Sequence, residues 1–94
     1  MRKNGEKTVY TIDSEKIFWR KVERETVILN VETGLYYTLD EIGSSIWDDL
    51  IRGRDTGQIG ERMIAEYETD PGRIRKDVDR ILRELSAERL IQKK

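Results

Sequence analysis

An α+β domain, three short strands followed by three helices, is what this chain predicts, and three features predict it. The first half alternates apolar and polar side chains with the period of a strand. After Leu39 the spacing changes to that of an amphipathic helix. Between segments stand turn residues and helix caps rather than linkers, so strands and then helices share one layered domain spanning residues 1–94.

The elements follow in order. Residues 8–12 (TVYTI) are strand-like but short, so 1–15 is expected to be an N-terminal arm or an extra strand. In residues 16–22 (KIFWRKV), Phe18 alternates with charged neighbours while Ile17, Trp19 and Lys21 form the other face. In residues 25–31 (ETVILNV), Val27, Leu29 and Val31 share one face and Thr26, Ile28 and Asn30 the other. The third strand, 35–39 (LYYTL), puts Leu35, Tyr37 and Leu39 on one side and Tyr36 and Thr38 opposite.

Parity sets the expected register of the second hairpin. A two-residue loop at Thr33-Gly34 would place Val31 opposite Tyr36 and mix apolar with polar faces. A three-residue loop, Glu32-Thr33-Gly34, pairs Val31 with Leu35, Leu29 with Tyr37 and Val27 with Leu39, and Gly34 supplies the left-handed residue that ends such loops. All six apolar side chains then share one buried face.

Helix signals come next. Thr38-Leu39-Asp40-Glu41 fits a capping box with Tyr37 and Ile42 as its staple, although Asp40 also fits as the cap. Ile42, Ile46, Trp47, Leu50 and Ile51 form the first stripe, and Gly53 stops it. Asp55 with Gln58 opens a second helix carrying Ile59, Met63, Ile64 and Tyr67. Asp70-Pro71 opens a third, whose buried side holds Ile74, Val78, Ile81, Leu82 and Leu85, and Leu90-Ile91 makes a terminal apolar plug.

Composition limits the chemistry. Charged residues are 39% of the 94, so one thin core of eleven Ile, seven Leu and five Val sits under a heavily charged exterior. The chain has no His and no Cys, which removes the commonest general base, the strongest nucleophile and the usual transition-metal ligands. Asp48-Asp49 is the obvious carboxylate pair, but neighbours on a helix do not face each other, and a solvated helix face is expected. An enzyme is therefore not expected, nor a cofactor. A net charge of −1 calls for neither nucleic acid nor an anionic membrane. The charged start MRKNGEK shows no apolar signal core, and no run approaches a membrane span, so a cytoplasmic location is expected.

One feature points to a function. In a meander the first and third strands are edges, and exposed edges are usually blunted by charge or proline. The first strand carries Lys16, Arg20 and Lys21; Leu35–Leu39 carries no charge and no Pro. Such an edge accepts an extra strand from an extended peptide, or is covered by the protein's own third helix or by a dimer mate.

The run ETVILNVETGLYYTLDEIGSSIWDDL, followed by an AEYE segment and KDVDRILRELSAERLI, closely resembles the PqqD-like family, over roughly residues 16–92. Its most specific parts are LN-x-x-TG-x-YY-x-L-(N/D)-E-x-G-x-x-IW and the later DV-x-x-x-L-x-x-L. The resemblance implies a winged helix-turn-helix-like domain, without catalysis of its own, that recognises leader peptides of ribosomally made, post-translationally modified peptides. The wording lies nearer the general PqqD-like and lasso-peptide versions than the narrower quinone-cofactor version. It implies as partners a precursor leader peptide and a modifying enzyme or leader peptidase, with neither nucleic acid nor membrane.

Carried onto this chain, the leader adds antiparallel to Leu35, Tyr36, Tyr37, Thr38 and Leu39, against Ile74, Asp77, Val78, Ile81 and Leu85 of the third helix. By parity, Tyr37 and Leu39 point to the core and would offer the peptide their backbones, while Ile74, Asp77 and Ile81 would line pockets. Asp77 with Arg73, Arg75, Lys76 and Arg80 would select charged leader residues, unless Arg73–Asp77, Arg75–Asp79 and Arg80–Glu84 simply pair as a surface. Family members often carry Gly where Arg89 stands, so the last helix is expected to run longer or end differently. The alternative function is a winged-helix nucleic-acid binder, because Arg73, Arg75, Lys76, Arg80 and Arg83 outnumber the acids of that helix.

Overall fold

A computed structural model describes residues 7–67 and 70–94. The order is β1 (Tyr10–Thr11), β2 (Ile17–Val22), β3 (Glu25–Asn30), β4 (Leu35–Leu39), α1 (Glu41–Ile51), α2 (Thr56–Glu66), α3 (Pro71–Ala87) and β5 (Gln92–Lys93). β2, β3 and β4 form an antiparallel meander, and β1 pairs with β5 in a separate two-stranded sheet. The expected α+β architecture is present, with helices beside a β-hairpin in the winged helix-turn-helix-like layout. Of the expected arm, residues 10 and 11 form the extra strand, and residues 1–6 lie outside the described residues. Glu68 of the AEYE segment lies outside them too.

The register of the second hairpin differs from the expectation by one residue. Asn30 pairs with Leu35, Ile28 with Tyr37 and Thr26 with Leu39, which leaves a four-residue loop, 31–34. A one-residue change turns every side chain of a strand over. The buried face of β3 is consequently Thr26, Ile28 and Asn30, while Val27 and Leu29 point outward and Val31, just beyond the strand, is exposed.

Polar chemistry explains this choice. The Asn30 side chain accepts from the N–H groups of Glu32 (2.9 Å) and Thr33 (3.3 Å), Gly34 N–H donates to Asn30 O, and Gly34 takes a φ of 76°. Thr26 Oγ1 donates to Ser44 Oγ at 2.7 Å, and that hydroxyl donates to Leu39 O at 3.3 Å. The buried polar atoms of this face thus find partners, and Ile28 supplies its apolar centre. Leu35, expected in the core, is 53% exposed at the mouth of the loop.

The helices start and stop where the sequence marks them. Asp40, not Thr38, caps α1 by accepting from Gly43 N–H at 2.9 Å, so Tyr37 and Ile42 do not occupy staple positions. Asp55 and Gln58 form a complete capping box on α2, and Asp70-Pro71 opens α3. Gly53 ends α1 in a Schellman motif, with Gly53 N–H to Leu50 O and Arg54 N–H to Asp49 O. Arg89 ends α3 in the same way, with N–H to Ser86 O and Leu90 N–H to Leu85 O, at a φ of 61°. The expectation of a longer or different ending is corrected: Arg89 adopts the left-handed cap although it carries a Cβ.

Ile17 and Ile28 of the sheet meet Ile46, Trp47 and Leu50 of α1, Ile59 and Met63 of α2, and Ile74, Val78, Leu82 and Leu85 of α3. Leu90 and Ile91 close this core, as the plug reading expected. Trp19 stands edge-on to Trp47, ring centroids 5.7 Å apart.

The Asp48-Asp49 pair divides. Asp48 bonds Lys21 Nζ at the surface, at 2.9 Å, whereas Asp49 is fully buried and its Oδ1 is held by Arg54 Nη1 and by Arg62 Nε at 2.9 Å. A solvated face was expected for both; Asp49 instead ties α1 to the following loop and to α2.

Candidate functional site: the open edge of β4 and the groove beside it

Within the described residues, β4 pairs on one side only, with β3. Which of its main-chain groups remain open follows from the alternation of antiparallel ladders. Val31 N–H donates to Lys16 O, so Val31, Leu29 and Val27 direct their backbone groups to β2. Asn30, Ile28 and Thr26 therefore direct theirs to β4, where Leu35, Tyr37 and Leu39 take them up. The N–H and C=O groups of Tyr36 and Thr38 are left facing the open edge. This corrects the parity argument, which gave that role to the backbones of Tyr37 and Leu39.

β4 also borders a groove. A space of about 240 Å³ is lined by Thr38, Leu39, Asp40 and Gly43 on one side and by Arg80, Ile81, Glu84 and Leu85 of α3 on the other. Its floor is apolar, from Leu39, Ile81 and Leu85, and its rim is charged. Gly43 permits the close approach at the end of β4, because a Cβ there would lie 3.1 Å from Leu39 Cβ. Outside the groove lining, Tyr37 Oη donates to Glu88 Oε1 at 2.7 Å and ties the strand to the C-cap of α3. That bond, with lesser contributions from desolvation and from the charge of Glu88, raises the Tyr37 pKa above its ordinary 10.0.

Of the residues expected on α3, Ile81 and Leu85 reach the groove. Ile74 and Val78 are core residues, and Asp77 sits 3.9 Å from Arg80 outside the groove lining. The part of α3 that borders the groove lies nearer the C-terminal end of the helix than expected, and β4 also meets α3 at Glu88. Arg80 is engaged by Glu84 at 3.3 Å and by Asp77, so it is a partnered rim residue. Of the three expected i, i+4 pairs, the structure shows Arg80–Glu84. Asp40, Gly43, Glu84 and Glu88 were not anticipated at the site. The i, i+4 repeats Arg80/Glu84 and Ile81/Leu85, taken as adjacent polar and apolar rows, carried the signal for Glu84.

The opposite side of the sheet is also apolar. Phe18 (52% exposed) and Tyr36 (69%) stand out from it, and Phe18, Trp19, Arg20, Val27, Leu29 and Tyr36 surround a depression of about 230 Å³.

Among the described residues no cluster of acidic side chains could hold a metal, and no helix is long and apolar enough to cross a membrane. The sequence profile described as "Coenzyme PQQ synthesis protein D (PqqD)" matches residues 25–91. A solved structure, "TbiB1 in Complex with the TbiA(beta) Leader Peptide", is 31% identical with a TM-score of 0.80, over 86% of this chain and 93% of that one. Another, "Lasso peptide synthetase B1 complexed with the leader peptide", shares the fold at 17% identity and a TM-score of 0.79, over 88% and 96% of the two chains. No curated protein matches the sequence.

Proposed function

The chain belongs to the PqqD family, and from that premise we propose that it is a cytoplasmic binding protein with no chemistry of its own, which captures the leader segment of a ribosomally made precursor peptide. The leader adds as a strand to Leu35–Leu39, beside the groove against α3, and the domain hands it to a modifying enzyme or leader peptidase. The motif wording favours a lasso-peptide pathway.

One observation carries this reading. The main-chain groups of Tyr36 and Thr38 face an edge that bears no charge and no proline, next to a groove with an apolar floor. Edges of that kind are uncommon unless a partner completes them. Support comes from the 31%-identical TbiB1 structure, whose protein is in complex with a leader peptide. The comparisons give the nucleic-acid alternative no support, and Arg80 of the basic α3 series is already partnered by acids.

Leader residues opposite Tyr37 and Leu39 face the groove side, where Leu39, Ile81 and Leu85 accept apolar side chains. Asp40, Arg80 and Glu84 meet whatever polar groups border them. The Tyr37–Glu88 bond ties β4 to the C-cap of α3.

The test is a titration with synthetic leader peptides, TbiA(beta) among them, followed by Trp and Tyr fluorescence, on the parent and on Thr38→Pro. Proline at an edge position whose N–H faces outward keeps the fold and removes one donor from the peptide. Saturable binding that weakens at least fivefold in the folded variant is expected. Unchanged binding by Thr38→Pro, or no leader bound by the parent, contradicts the proposal.

A further inference from the structure

The groove is only one of the two faces that an added strand would present to this domain. Side chains of a strand paired with β4 alternate between the groove side and the outer face of the sheet. On the outer face the register aligns Phe18, Leu29 and Tyr36 in one cross-strand row: Phe18 is opposite Leu29, and Leu29 is opposite Tyr36. The row runs from the blunted β2 edge to the open β4 edge and ends in Tyr36, the most exposed of the large apolar residues. It lies on the face that holds Val27, Leu29 and Tyr36 because the four-residue loop turned β3 over.

We propose that the leader is read on this outer face as well. The leader residue directly opposite Tyr36 is apolar, branched or aromatic, and extends the Phe18–Leu29–Tyr36 row by one member. The inference rests on strand addition at β4 and names a specificity contact within it, separate from the groove.

Directly opposite residues of an antiparallel pair hold their Cβ atoms about 4.5–5.5 Å apart, and aromatic–apolar pairs stabilise such ladders. Tyr36 presents most of its ring to solvent, with Leu29 opposite it, and among the described residues its side chain makes no hydrogen bond or ion pair. A polar leader residue at that position would gain nothing from the row and would cover an apolar ring. The outward neighbour of this position lies opposite Thr38, in the row Thr38–Val27–Arg20, so the preference there is weaker and more polar. An apolar leader residue also covers part of an exposed hydrophobic face, the kind of patch that marks interaction sites.

The test is selection from a random 14-residue display library against the parent, Tyr36→Ser and Thr38→Pro proteins, each first shown to be folded by near-UV circular dichroism. Tyr36 is exposed, so its replacement leaves the core intact. With the parent, enriched peptides are expected to share an apolar residue at one outward position. With Tyr36→Ser, that single preference is lost while the groove-facing preferences persist, and the parent consensus peptide binds roughly three- to fivefold more weakly.

The same enriched motif with Tyr36→Ser, at unchanged affinity, overturns the outer-face contact and leaves leader capture standing. No enrichment on the parent, or the same peptides on Thr38→Pro, overturns strand addition together with it. Sedimentation of the free protein as a dimer that Tyr36→Ser dissolves overturns the contact in favour of a second copy on that face.

Discussion

Asp49 provides the sharpest energetic prediction, because the two ways of breaking its network differ in what they leave behind. Its carboxylate has 1% side-chain exposure, whereas Arg54 and Arg62 are 30% and 45% exposed. Asp49→Ala frees two guanidinium groups that can turn into water, so the loss is confined to two ion pairs whose cations are already partly solvated and screened, about 1–2 kcal/mol in all. Replacing both Arg54 and Arg62 by Met leaves a buried carboxylate with no partner for either oxygen, since Oδ2 already lacks one. That costs about 3–5 kcal/mol. A chain of this size has a total stability of roughly 5–14 kcal/mol, and each kcal/mol moves Tm by about 4–8 °C. Urea unfolding at pH 7, followed by fluorescence of the buried Trp47, measures both. An Asp49→Ala variant at least as destabilised as the double Arg variant would refute the reasoning, because exposure of the partners would then not govern the cost.

Three further outcomes are expected. Arg89→Gly relieves a left-handed residue at the α3 cap, partly offset by the greater freedom of Gly in the unfolded chain, and raises stability by about 0.5–1 kcal/mol in the same assay; a loss of stability contradicts that cap. Glu23, with a φ of 60° in the two-residue β2–β3 turn, has the backbone that glycine favours there, so Glu23→Gly stabilises by a similar amount in thermal melts. Tyr37 has its pKa raised in the folded state, so the stabilisation from its bond to Glu88 is intact below the unfolded value near 10 and is lost as pH rises through the folded one. Absorbance titration at 295 nm should show one tyrosine ionising at lower pH in Glu88→Gln than in the parent, and coincident curves contradict the bond.

Much of this fold was legible because local chemistry and global packing agree along most of the chain. The caps at Asp55 and Asp70, the stop at Gly53, and most of the stripes of α1 and α3 follow from spacing and capping residues alone, although Ile51, expected in the α1 stripe, is exposed. The second hairpin was misread because counting apolar residues favours Val27, Leu29 and Val31 over Thr26, Ile28 and Asn30. The deciding interactions are polar and nonlocal: Thr26 needs Ser44, and Asn30 is taken up by the turn. Asp49 was hidden because its partners lie 5 and 13 residues away, and a carboxylate beside another carboxylate reads as surface. At the site, the bare strand was visible from its composition. The contributing face of α3 was not, because which turn of that helix meets β4 depends on the crossing of two elements, which the groove lining and the Tyr37–Glu88 contact display.

The central claim is that a leader peptide completes the sheet at β4, and amide hydrogen exchange at single-residue resolution tests it most directly. Adding a saturating leader peptide should slow exchange at Tyr36 and Thr38, the two strand amides that face the open edge, while Tyr37 and Leu39, already paired with β3, change little. Unchanged exchange at Tyr36 and Thr38 in a peptide-saturated protein would contradict the account.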